Sequence, residues 1–69
     1  MYFELYDGEA FITFDIVYLN EKKMEVQLVV TNRGKISFVT YDLRERDKGM
    51  YFEYGCDYQK IYINDFKED

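Results

Sequence analysis

Residues 10–42 read AFITFDIVYLNEKKMEVQLVVTNRGKISFVTYD, and this stretch decides the fold. It is dense in Val, Ile, Tyr, Phe and Thr, residues that suit a pleated, half-buried surface better than a helix. The density breaks twice, at Asn20 to Lys23 and at Asn32-Arg33-Gly34, where turn-forming residues gather. Three strands are therefore expected, near 10–19, 25–31 and 35–42. Ile12, Phe14, Ile16 and Tyr18 alternate onto one face of the first; Val26, Leu28 and Val30 share a face of the second; Ile36 and Phe38 share a face of the third. Stacking the three sets makes one continuous apolar face, and a one-residue slip would send a whole set to the opposite side.

Asp15 constrains the register. A three-residue loop, Glu21-Lys22-Lys23, pairs Ile16 with Leu28 and Tyr18 with Val26 and turns Asp15 outward opposite Val29. A loop of two or four residues would bring Asp15 inward beside Leu28, a buried charge with no partner. An odd loop is expected. Asn32-Arg33-Gly34 is likewise read as a three-residue hairpin with Gly34 in the left-handed position of a bulge. That arrangement places Val30 beside Ile36 and Leu28 beside Phe38.

Working outward, the same composition marks strands near 2–6, 50–54 and 58–64, a spacing of about ten residues typical of small all-β domains. Leu43 to Gly49 is the only segment with helical character, one short charged turn near 43–49 at most, and a solvated connection is the favoured reading. The expectation is one β domain over residues 1–69: a small antiparallel meander or a partly open five- to six-stranded barrel. A chain of 69 residues buries about 60% of the surface its unfolded form exposes. One cysteine excludes an internal disulfide, and the absence of histidine removes the usual completion of a zinc site. No apolar run reaches the roughly 18 residues of a membrane helix. With a lone cysteine and no targeting segment, a cytoplasmic setting is expected.

The chemistry of catalysis is sparse. There is no histidine to act as base. Cys56 lies between Gly55 and Asp57, whose carboxylate disfavours a thiolate, and is read as a small, semi-buried turn residue. Ser37 sits mid-strand, without the strained turn of a hydrolase nucleophile. Asp7-Gly8-Glu9 is read as a hairpin turn, since no calcium-loop pattern accompanies it. No catalytic residue, metal or cofactor is assigned, and a binding protein is expected in place of an enzyme.

Net charge is −5, unevenly spread: −5 over residues 1–21, +3 over residues 22–48 and −3 over residues 49–69. Phosphate binding needs Lys and Arg, so the acidic balance disfavours nucleic acid as a general partner and favours a protein with a basic surface. Eight tyrosines stand out. Alternation turns Tyr2 and Tyr6 outward with Glu4, Tyr58 and Tyr62 outward with Lys60, and Tyr51 away from Met50 and Phe52. Tyrosine gives rigid contact area with a polar tip and is enriched at interfaces; cross-strand tyrosines also stabilise small sheets. The candidate partner-binding set is Tyr2, Glu4, Tyr6, Asp7, Glu9, Asp15, Tyr51, Glu53, Asp57, Tyr58 and Tyr62.

Carboxylates along one strand face lie about 6.5–7 Å apart, close to the phosphate spacing of a DNA strand. In size, acidity and lack of a catalytic set, the chain resembles the small inhibitors that bacteriophages make against host nucleases, defence systems or polymerases. That resemblance implies occlusion of a basic, nucleic-acid-handling protein in the host cytoplasm, by nucleic-acid mimicry in one form. Two other readings stand beside it. The first is a small nucleic-acid-binding barrel using Arg33, Lys35, Tyr41, Arg44, Arg46 and Lys48. The second is a self-associating β module, a homodimer, built on the lightly charged edge of strand 2–6.

Overall fold

A computed structural model describes residues 1–68. Four strands form the first sheet in the order β1-β2-β3-β4: β1 Tyr2–Tyr6, β2 Phe11–Asn20, β3 Glu25–Asn32 and β4 Lys35–Asp42. Three short strands form the second in the order β5-β6-β7: β5 Arg44–Arg46, β6 Gly49–Tyr54 and β7 Gln59–Tyr62. A single 3-10 turn, Ile63–Asp65, follows. All strand pairs are antiparallel, as the meander reading expects, and the sheets do not close into a barrel.

The two sheets share one core. Ile12, Phe14, Val26, Leu28 and Val30 from the first meet Phe52 and Ile61 from the second, and Leu43, Ile63 and Phe66 complete the cluster. Phe14 lies against Phe52 at 5.9 Å and edge-on to Tyr54 at 4.9 Å. Leu43 carries the chain from one sheet to the other: it is buried, and its N–H donates to the Met24 carbonyl at 2.8 Å. Residues 43–49 are therefore not helical. Arg44-Glu45-Arg46 pairs with β6 as a strand, and Gly49, at φ 110°, closes a tight turn that a Cβ would drive into Asn64.

Asp15 does face outward opposite Val29, and Ile16 does pair with Leu28. The route differs from the expected odd loop. The β2–β3 connection has four residues, Glu21 to Met24, and a bulge at Val17 absorbs the parity change. Beyond it Tyr18 faces Gln27 and points out, and Leu19 takes the inward place opposite Val26. A bulge inserts one unpaired residue and so allows an even loop to coexist with an outward Asp15.

The β3–β4 hairpin differs more deeply. Asn32 pairs with Lys35, so the loop is the two residues Arg33-Gly34, at φ 53° and 81°. Positive φ at both positions is the geometry whose twist matches a two-residue hairpin. The register moves by one residue against the three-residue expectation, and every β4 side chain changes face. Val39 opposes Leu28 and Tyr41 opposes Val26 on the inside; Ile36 and Phe38 turn outward, opposite Thr31 and Val29. Phe38 is 80% exposed and Ile36 68%.

Candidate interface on the outer face of the four-stranded sheet

The outer face is built row by row from the strand pairing. Tyr6 sits beside Phe11, with ring centroids 5.1 Å apart. Next comes the row Glu4, Thr13, Thr31 and Ile36, then Tyr2, Asp15, Val29 and Phe38. Tyr18, Gln27 and Thr40 follow, and Asn20, Glu25 and Asp42 end the face. Glu4, Asp15, Glu25 and Asp42 supply one carboxylate per strand, and no Lys or Arg stands in any row. The acids cross the face diagonally. No strand repeats them at the 6.5–7 Å spacing of a phosphate strand, so the ladder of carboxylates expected for nucleic-acid mimicry is not formed. Glu25 and Asp42 are directly opposite one another, an arrangement that costs stability unless a cation lies nearby.

Of the candidate partner-binding residues, Tyr2, Glu4, Tyr6 and Asp15 are brought together here. Asp7 and Glu9 stand at the β1–β2 turn, where both engage Arg33, Asp7 at 3.8 Å. The Asp7 carboxylate accepts the N–H groups of Ala10 and Glu9, each at 2.9 Å. Those two bonds, with the nearby Arg33 charge, hold its pKa below the ordinary value. This turn is a closed local device, not a free acidic pair.

The remaining candidates lie on the second sheet. Tyr51 and Tyr62 pair across strands at 5.1 Å and are capped by Lys60 and Lys48, each 5.9 Å from a ring centroid. Tyr51 is buried under this cover although its side chain points away from the core. Glu53 lies 3.5 Å from the Arg44 guanidinium. Tyr51, Glu53 and Tyr62 thus already have partners within the chain. Asp57 and Tyr58 are exposed at the β6–β7 turn, as is Cys56, which is not semi-buried as expected.

The basic set is not assembled. Arg33 and Lys35 stand at one end of β4 and Arg44, Arg46 and Lys48 beyond the other, with roughly 23 Å of strand from Lys35 to Asp42. Tyr41 faces inward, stacked on Phe52 at 5.0 Å. Burial, with the neighbouring Tyr54, raises its phenol pKa.

Beneath β4 the second sheet stops short. A cleft of about 250 Å³ opens there, lined by Val30, Asn32, Ser37, Val39, Tyr41 and Tyr54 among others, and the buried Asn32 Oδ1 has no hydrogen-bond partner among the described residues. Among the described residues no cluster of His, Cys, Asp and Glu is placed to hold a metal, and no helix is long and apolar enough to cross a membrane.

Sequence reasoning missed Phe11, Tyr18, Glu25, Ile36, Phe38 and Asp42 as members of this face. The signal for the β4 residues was in Asn32-Arg33-Gly34-Lys35, since a glycine preceded by one residue able to adopt positive φ suits a two-residue turn. No family model, curated protein or solved structure matches the chain.

Proposed function

We propose that this chain is a non-enzymatic binding module that docks a protein with a basic surface onto the outer face of its four-stranded sheet. The observation that carries the reading is the composition of that face: four carboxylates, one on each strand, and no base in any row. Tyr6, Phe11 and Tyr18 are all more than half exposed on it and supply rigid contact area of the kind interfaces favour. The opposed Glu25 and Asp42 support the same choice, since a partner's Lys or Arg between them would relieve their repulsion. A basic partner suits a nucleic-acid-handling protein, whose own phosphate-binding surface is built from Lys and Arg.

Charge reversal on the face tests this. Immobilised protein is exposed to nuclease-treated lysate, and retained species are identified by mass spectrometry. The reading expects a basic protein that is released by salt, lost by the double variant Glu4→Lys with Asp15→Lys, and kept by Asp57→Lys on the far turn. Retention unchanged by the double variant, with its circular dichroism intact, contradicts the reading.

A further inference from the structure

From the open edge of β4 we infer that two copies of this chain pair β4 against β4 in antiparallel fashion, with Phe38 on the two-fold axis. The inference does not rest on the proposed partner; it concerns an edge, and the partner concerns a face.

The hydrogen-bond phase of β4 follows from its hairpin. In a two-residue hairpin the flanking pair, Asn32 and Lys35, is a bonded pair, and bonded pairs then recur at every second residue. Ser37, Val39 and Tyr41 therefore direct their backbone groups toward β3. The bond from Leu43 N–H to the Met24 carbonyl continues the same phase. Ile36, Phe38, Thr40 and Asp42 direct theirs to the open side, and none of these groups has a backbone partner there among the described residues.

Proteins blunt such edges with charge, proline, bulges or short length. β4 has eight residues, no proline, an unbroken register with β3, and charge only at its two ends, Lys35 and Asp42. The other edges are shorter or partly covered: β7 has four residues and carries Lys60. Tyr2 on β1 exchanges two backbone bonds with Lys67, each 2.8 Å. β5 has three residues, all charged. The dimer expected on the edge of residues 2–6 is proposed on β4 instead, which is longer and carries no charge between its ends.

The end charges choose the occupant and its direction. Antiparallel pairing with a second copy sets the Lys35 end of each strand beside the Asp42 end of the other; parallel pairing would set like beside like. With Phe38 facing its own copy, Ile36 opposes Thr40 on either side of it, and three bonded pairs supply about six hydrogen bonds. The two-fold axis is then perpendicular to the sheet, and the outer faces of both copies lie on the same side of one eight-stranded sheet. The 80% exposure of Phe38 becomes an aromatic contact at the centre of the seam.

Sedimentation equilibrium and cross-linking test this together. Wild-type protein is expected at twice the 8.5 kDa chain mass as concentration rises. Phe38→Lys, which puts two like charges on the axis at an exposed position, is expected at the chain mass with unchanged circular dichroism. Paired residues facing one another in a bonded pair have Cβ atoms about 5.5 Å apart, outside the roughly 3.5–4.5 Å a direct disulfide needs and within the span of a short bis-maleimide linker. In a Cys56→Ser background, Phe38→Cys is expected to give a covalent dimer with that linker, each thiol adding across one maleimide double bond; Thr40→Cys, which faces Ile36 of the other copy and lies roughly 13 Å along the strand from its own counterpart, is expected not to. A chain-mass species at every concentration, a dimer indifferent to Phe38→Lys, or cross-linking through Thr40→Cys and not Phe38→Cys would each overturn the inference.

Discussion

Tyr58 holds φ 52° while its side chain is 69% exposed. A bulky residue in the left-handed region costs roughly 1–2 kcal/mol, and little burial offsets that cost here. Its backbone N–H donates to the Gly55 carbonyl at 3.2 Å, a bond any residue can make. Asparagine tolerates this backbone region far better. Tyr58→Asn is therefore expected to stabilise the fold by about 1 kcal/mol, read as a higher urea midpoint with unchanged slope. A lower midpoint would mean that the phenol makes a stabilising contact that its exposure does not suggest. Arg33, at φ 53°, shows the opposite balance, because its guanidinium bridges Asp7 and Glu9 across the same end of the sheet. Exposed pairs of this kind contribute at most about 1 kcal/mol, which offsets part of the strain of its backbone.

At the scale of elements, the bulge in β2 makes the sheet's parity work. Ile16 pairs with Leu28 and Tyr18 with Gln27, so the residues on either side of Val17 already follow a regular ladder. Val17 itself is 55% exposed. Deleting Val17 is expected to leave the core intact and to change the unfolding free energy by no more than about 1 kcal/mol, measured by urea titration. Loss of cooperative unfolding would show that the bulge sets a twist the core requires. The strands themselves were legible in the sequence because β-branched and aromatic runs alternate with clear turn residues; five of the six expected segments match observed strands to within a residue at each end. The sixth, near 58–64, is cut short at Tyr62 by the 3-10 turn. Their faces were less legible. Asp15 carried enough electrostatic cost to fix its own side of β2, and it did. β4 contains no charge between Lys35 and Asp42, so nothing in its pattern penalised the wrong face. Loop length alone decided between Ile36 with Phe38 and Val39 with Tyr41, and one residue of loop inverted the outcome. β5 escaped notice because three charged residues carry no apolar alternation.

At the scale of the molecule, the two outer surfaces differ in kind. On the second sheet, Lys60, Lys48 and Arg44 cover Tyr51, Tyr62 and Glu53, leaving aromatic and charged groups satisfied within the chain. On the first, Tyr6, Phe11, Tyr18 and Phe38 are exposed and the four carboxylates have no base among them. That contrast divides the expected binding set: Tyr2, Glu4, Tyr6 and Asp15 lie on the proposed interface, whereas Asp7, Glu9, Tyr51, Glu53 and Tyr62 have partners within the chain, a division the linear sequence does not show because both groups share the same alternation of tyrosine and acid. Nuclear magnetic resonance mapping of the isotope-labelled protein with the basic protein it retains tests this division most directly. The account predicts that amide shifts concentrate at Glu4, Thr13, Asp15 and Gln27, with Lys60, Glu53 and the Arg44–Arg46 strand unmoved. Shifts centred on the second sheet, with the four-stranded face silent, would contradict it.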